Sequence, residues 1–387
     1  MFEPEDYEQL RMRIRDRLRA DYPLLDQLRE EIRPLLSEVR PIKPRSATAI
    51  SLVGSDGGNN ELIFDPFLLH VVRVVDSYGK QLCFDVVSPS TDPDELSADQ
   101  FDTSGKPKTA LGFMMKELGL KQMKLSELSH MIPTGEFVRT QRERVSPSWV
   151  QTYRDVCEWA VLYQLIRQAE FSTDTLIVRD GLLRSKIFRG NLFIKLRQNL
   201  EASIDQIYRQ HRRRVFMVGI AKKSKVLTRY HLAITLESLF ATGDARYVRV
   251  PRDLEAKSYI WEEYARGVET EGDEREAPKF VAGDMYLVRF GARSGDPIWA
   301  VDILSSQTRF APEIFGYLLA DAVDGFPVPL YPKCLQKAHE YAQIAGFDYA
   351  LLQDVISRGI RDLVPPQRHD AFDSMQFKTD VAARRYG

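Results

Sequence analysis

Apolar residues recur at a helical period from the start of the chain. Between residues 5 and 40, Leu10, Ile14, Leu18, Leu25, Leu28, Ile32 and Leu36 fall at steps of three, four or seven among many Glu and Arg residues. This spacing predicts amphipathic helix. Pro23 has no backbone N–H for the helix interior, so the pattern predicts two helices divided there. They are expected to pack on the main body as a hairpin, with a dimerisation arm as the alternative. After PIKPR (Pro41–Arg45) the texture changes to three β-rich runs, SATAISLVGSD, LLHVVRVVDSYG and KQLCFDVVSP. Their Gly and Asn punctuation predicts an antiparallel meander. Residues 88–110, rich in Ser, Thr, Asp and Pro, read as an exposed loop, and a helical segment follows over Leu111–His130.

SPSWVQTYRDVCEWAVLYQLIRQ opens on Ser146 and Pro147, an N-cap and first-turn pair, and stays apolar at a helical period through Ile166. A strand over Thr173–Gly181 ends in Asp-Gly, and VFMVGIA (Val215–Ala221), MYLVRF (Met285–Phe290) and IWAVDIL (Ile298–Leu304) read as further strands. The acidic, aperiodic EEYARGVETEGDEREAPK reads as a surface loop. Two helices are expected near Pro312–Asp324 and Tyr331–Ala345, with GFPVPLYP between them. No fixed repeat runs through this order of elements. It predicts a mixed α/β sheet flanked by helices, with an N-terminal helical extension over residues 1–44 and a C-terminal helix and tail over 351–387.

Composition narrows the class without naming a function. The 387 residues are 44% hydrophobic and 28% charged, the profile of a soluble globular protein rather than of a disordered, collagenous or disulfide-stapled one. No run approaches the roughly 20 apolar residues of a membrane span, and MFEPEDYEQL lacks the blocks of a secretory signal. Cys83, Cys157 and Cys334 lie far apart in sequence, which argues against a disulfide framework or a Cys-based zinc site and favours a reducing cytoplasm. The formal charge of −1 on its own gives no reason to expect a nucleic-acid partner.

The carboxylates give reason to look further. Asp56, in LVGSDGGNN, and Asp180, in LIVRDGLL, each stand at a strand end before glycine, and Glu158 lies on the intervening helix among Cys157, Trp159 and Ala160. A lone Asp-Gly is ordinary turn chemistry, and Asp155 and Glu170 are rival carboxylates on that helix. A charge on an apolar face nonetheless needs a partner or a metal. An Asp from one strand, a Glu from the next helix and an Asp from a neighbouring parallel strand would converge at one sheet edge, as in ribonuclease H-like nucleases. There, clustered carboxylates hold two divalent ions about 4 Å apart for phosphodiester cleavage. Oxygen ligands suit Mn²⁺ or Mg²⁺ better than zinc. Among six histidines, His339 stands out, because it follows Tyr331 by eight residues on a predicted helix and is a candidate ligand or proton carrier.

Charge distribution then changes the picture. Arg179–Tyr230 holds 14 basic and three acidic residues, an excess of eleven inside a near-neutral chain. HRRR, with Arg212, Arg213 and Arg214, and AKKSK, with Lys222, Lys223 and Lys225, bracket a strand and are candidates for DNA phosphate contacts.

With these residues in place, the sequence resembles the NurA nucleases that work with the HerA ATPase on DNA ends. Four blocks in order over residues 45–350 carry the resemblance: the strand at Asp56, the Glu158 helix with LIVRDG, VFMVGIAKKSK, and WAVDIL followed by GFPVPLYPKCLQKAHEYAQIAG. The last is the most specific. The resemblance implies a metal site of Asp56, Glu158, Asp180 and His339, with Tyr331 close by and Lys222 or Lys223 near the scissile phosphate. It implies a Mn²⁺- or Mg²⁺-dependent DNA nuclease using two ions, with 5'–3' exonuclease and single-strand endonuclease activity in double-strand break repair. A homodimer docking on a HerA-like hexameric translocase is the implied assembly. Gly58 and Leu182 stand where many members carry Ser, and residues 86–140 are longer than the family pattern. The alternatives are a ribonuclease H-like nuclease acting on RNA or branched DNA, and a non-catalytic DNA clamp that partners an ATPase.

Overall fold

The computed structural model describes residues 4–46, 51–64, 67–168, 170–240, 242–258, 279–344 and 347–374. Its centre is a nine-stranded sheet of β1 (Arg40–Pro41), β2 (Ser51–Phe64), β3 (Phe67–Asp76), β4 (Gln81–Val87), β5 (Thr175–Asp180), β6 (Val215–Ala221), β7 (Arg246–Arg249), β8 (Gly283–Arg289) and β9 (Ile298–Leu304). The spatial order is β1-β7-β8-β9-β6-β5-β2-β3-β4. β2, β5 and β6 run parallel, while β3 is antiparallel to both its neighbours. The part β4-β3-β2-β5-β6 is thus the ribonuclease H-like arrangement, extended beyond β6 by an antiparallel run through β9, β8, β7 and β1. The predicted meander and mixed sheet are both present.

Helices cover both faces: α1 (Pro4–Ile32), α2 (Pro93–Ala98), α3 (Ala110–Glu117), α4 (Leu125–Leu128), α5 (Gly135–Thr140), α6 (Ser148–Gln168), α7 (Leu192–His211), α8 (Lys225–Leu236), α9 (Arg252–Ser258), α10 (Ala311–Ala322), α11 (Lys333–Ala342) and α12 (Phe347–Leu363). Strands covered on both sides must be apolar at nearly every position, and every residue of β6 is buried. Alternation then assigns the sides. Ile177, Val215 and Met217 pack with Trp159 and Val156 of α6 and Phe193 and Leu196 of α7. Leu176, Val178, Phe216 and Val218 pack with Ile314 and Phe315 of α10 and Leu335 of α11. A third core joins Ile32 and Leu35 to Tyr230 of α8 and Met285 and Leu287 of β8.

Two expectations are corrected. α1 is one continuous helix with Pro23 inside it, because the missing N–H costs a single intrahelical bond and the turns on either side are otherwise complete. Nor is it a hairpin lying on the body. Only its C-terminal part docks, through Leu28 and Ile32, Arg29 Nε donating to Glu237 at 2.6 Å and Tyr230 Oη donating to Glu31 at 2.6 Å. Tyr7, Leu10, Ile14 and Leu18 are exposed. The second correction is the loop over residues 88–110, which contains α2. Its polar residues are working caps: Asp92 accepts from the Asp94 amide, and buried Ser97 donates to Pro93 O and accepts from the Leu125 amide. The acidic segment lies outside the described residues up to position 278.

Candidate active site at the carboxyl ends of the parallel strands

The register of the sheet sets two of the expected carboxylates level. Ser55 of β2 is paired with Arg179 of β5, and Asp56 and Asp180 are the next residue on each parallel strand. The backbone of Asp56 pairs with Val75 of β3; its side chain is outside the described residues. Asp56 is expected at a strand end, but β2 runs on to Phe64 in its pairing with β3. Asp56 marks where the pairing with β5 stops, while Asp180 does end its strand, the place where open α/β sheets set their sites. Asp180 is followed by Gly181 at φ +103°, a conformation an L side chain rarely adopts, so the chain can turn away sharply and leave the carboxylate at the edge.

Two side chains from other elements converge on Asp180. Lys222, directly after β6, donates from Nζ to Oδ2 at 3.1 Å, and Tyr331, just before α11, donates from Oη to Oδ1 at 3.2 Å. Lys222 Nζ also lies 5.2 Å from the centre of the Tyr331 ring, a favourable cation–π placement. Tyr331 is fully buried and meets Trp299 edge-on at 4.8 Å. Its position depends on a close approach at Gly54, where a Cβ would lie 2.4 Å from the Cys334 carbonyl oxygen. Only a residue without a side chain lets the first turn of α11 rest on β2 in this way.

Glu158 is held on the other face. Val178 belongs to the core beneath α11, so alternation along β5 puts Asp180 on that side and Arg179 toward α6. Glu158, 7% exposed, accepts from Arg179 Nη2 at 3.0 Å and pairs with Arg154 Nε at 3.3 Å. Arg179 donates to Leu182 O at 2.9 Å and lies over the Trp159 ring at 4.9 Å. Sequence reasoning missed both arginines. Arg154 was legible as the i, i+4 partner of Glu158, and Arg179 as a charge flanked by buried strand residues.

The remaining candidates are spread more widely. α11 crosses toward the β3–β4 turn, where the Tyr341 ring comes 3.6 Å from a Cβ built on Gly79. His339 is exposed on that helix, its Nε2 2.7 Å from the Gln343 side chain. Lys223 and Lys225 are exposed beside Lys222, whereas Arg212, Arg213 and Arg214 precede β6. The seven residues of that strand, at about 3.3 Å each, put the two basic groups roughly 20 Å apart. Arg214 pairs with Glu313 at 3.3 Å and Arg212 lies over Tyr208, so the basic run read as one stretch divides between opposite ends of the sheet. Among the described residues, no group of three His, Cys, Asp or Glu side chains could hold a metal ion.

No family model and no curated protein matches the sequence. Among solved structures, the NurA nuclease from Sulfolobus solfataricus is 14% identical, with 94% of this chain and 99% of that one covered at a TM-score of 0.38. A NurA structure with manganese is 12% identical, with 89% and 96% covered at 0.39. One bound to dAMP and manganese is 12% identical, with 90% and 96% covered at 0.36. This chain is thus similar, over most of its length, to NurA nucleases of known structure.

Proposed function

We propose that this protein is a nuclease that cleaves DNA with a divalent cation, Mn²⁺ or Mg²⁺, at the end of β5 and beside Asp56 of β2. The observation that carries the reading is Asp180, at the end of β5 and level with Asp56 where the pairing of β2 with β5 stops, and faced by Lys222 and Tyr331. The two carboxylates offer oxygen donors only, which fits a hard ion. Asp56 and Asp180 would hold it. Glu158, held by Arg179 on the α6 side of β5, and His339, exposed on α11, would join them only after leaving these positions.

When bound, the ion supplies a polarised phosphate and a water of lowered pKa. The chain supplies the rest. Lys222, between Asp180 and solvent, is placed to offset charge on a phosphate oxygen, and the Tyr331 hydroxyl fixes the orientation of Asp180. Lys223 and Lys225 extend this positive edge along an incoming backbone. The biological setting we propose is processing of DNA ends, as a homodimer working with a HerA-type hexameric ATPase.

Replacing Asp180 by Asn tests the site. Mn²⁺-dependent cleavage of a labelled DNA oligonucleotide should fall by about a hundredfold or more, the scale of removing one electrostatic contact to a transition state. Binding of the same DNA, read by fluorescence anisotropy, should be unchanged or tighter. Asp56→Asn should behave alike. Cleavage at the wild-type rate in both variants would refute the mechanism, and cleavage of a matched RNA in preference to DNA would replace the substrate.

A further inference from the structure

Away from Asp180, β4 and α6 enclose a cavity of about 410 Å³ that the proposed chemistry does not use. Cys83, Asp85, Tyr153 and Cys157 line it together. Cys83 is on β4, paired with Val74, and is partly exposed, while Cys157 is on α6 and buried. Each is the largest influence on the other, Cys157 drawing the Cys83 thiol down and Cys83 driving that of Cys157 up. The Tyr153 hydroxyl donates to Asp85 Oδ2 at 2.7 Å, which pins this part of α6 to β4. Among the described residues these groups form no metal site. What is left is a pair of facing sulfurs, one of them reachable from a cavity.

We propose that Cys83 and Cys157 are an oxidation site, at which a hydroperoxide converts the pair reversibly into a disulfide linking β4 to α6 beside Glu158. Cys83 is the attacking sulfur, because it is the more exposed of the two and the neighbouring Cys157 holds its thiol below the ordinary range. Its thiolate attacks one peroxide oxygen, the O–O bond breaks, and the leaving hydroxide takes up a proton as water, giving a sulfenic acid at Cys83. The Cys157 sulfur then attacks the sulfenic sulfur. An S–S bond forms, the S–O bond breaks, and the departing hydroxide takes the Cys157 proton to become a second water. Two thiols and one hydrogen peroxide give one disulfide and two waters; sulfur is oxidised and peroxide oxygen reduced. Thiol pairs of this kind suit a reducing compartment, where disulfides are transient and serve as sensors.

Cys334 is the internal control. It is buried, and burial pushes its thiol well up. The full chain is treated with hydrogen peroxide, quenched, unfolded in urea and alkylated with iodoacetamide. Alkylated thiols, read by intact mass, should fall from three to one, Cys334, with a mass loss of two hydrogens that dithiothreitol reverses. A peptide digest should contain the Cys83–Cys157 link. Cys83→Ser, at the less buried position, and Cys157→Ala should each abolish the link at the same peroxide dose. Three alkylated thiols after treatment, irreversible oxidation of Cys83, or a link that joins two molecules would overturn the proposal. The readout is chemical, so it succeeds or fails independently of the nuclease reading.

Discussion

Removing the guanidinium of Arg184 should destabilise the fold severely while leaving the proposed chemistry in place. Arg184 lies just beyond Asp180, with its side chain 1% exposed. Nε and Nη2 donate to the two Asp302 oxygens at 2.8 and 2.9 Å, and Nη1 donates to Glu255 Oε2 at 2.7 Å. Both carboxylates have 0% exposed side chains. In Arg184→Met the methylene stem is largely replaced, so packing changes little. Asp302, however, loses its bidentate partner, whereas Glu255 keeps Arg252 at 3.0 Å. Breaking a buried ion pair from one side costs about 3–5 kcal/mol. At a urea slope of about 3 kcal/mol/M this lowers the unfolding midpoint by roughly 1 M or more. The pH dependence follows from the same burial. In the variant Glu255 loses Arg184, one of the two arginines that oppose the effect of its burial, so its folded pKa moves further up. Its penalty is therefore absent at low pH and appears as pH rises through the folded pKa. Glu255 in the intact protein already has a raised pKa, with burial as the largest cause and Arg184 and Arg252 opposing it, so the variant amplifies a slope of that sign. Urea unfolding followed by tryptophan fluorescence at pH 5 and pH 7.5 measures both effects. Replacing Asp302 by Leu in the same variant should recover much of the loss, since apolar isosteres of buried ion pairs are often neutral. A midpoint equal to the wild type, or a deficit that does not grow with pH, would refute this account.

Two further outcomes are expected. Gly54→Ala puts a Cβ 2.4 Å from the Cys334 carbonyl oxygen and must push α11 off β2, at about 1–3 kcal/mol; thermal melting and cleavage should fall together, because Tyr331 moves with the helix, and an unchanged variant would show that this approach is not needed. Deleting residues 1–24 should leave the thermal midpoint intact, because docking of α1 begins near Leu28, and should halve the mass seen by light scattering if the exposed Tyr7, Leu10, Ile14 and Leu18 meet a second copy; an unchanged mass would reject that dimer contact.

How far the sequence could be read depended on how each residue is paired. The strands of the parallel sheet were legible because burial on both faces leaves continuous apolar runs, and VFMVGIA coincides with β6 residue for residue. α2 was not legible. Its Asp92 and Ser97 look like surface residues until the backbone amides they satisfy are known. The exposed half of α1 was read correctly as amphipathic, but the pattern alone does not say what covers an apolar stripe.

The same limit governs the carboxylates. Asp302 stands in the IWAVDIL block that the sequence offered as part of a nuclease pattern, yet its partners are Arg184 and the interior of the sheet. Glu158 is buried beside Arg154 and Arg179, while Asp180 meets Lys222 and Tyr331 at the sheet edge. A buried acid signals only that something compensates it, and for Asp302 that something is internal. Asp180 differs, because its compensating lysine side chain is 40% exposed and comes from the next parallel strand. An incoming phosphate can draw Lys222 away without leaving a charge stranded in the core, and the carboxylate is then open to a cation. Withdrawal of Arg179 from Glu158 would uncover a group packed over Trp159. On this ground the metal site proposed for this chain would form first at Asp180 and Asp56 rather than at Glu158.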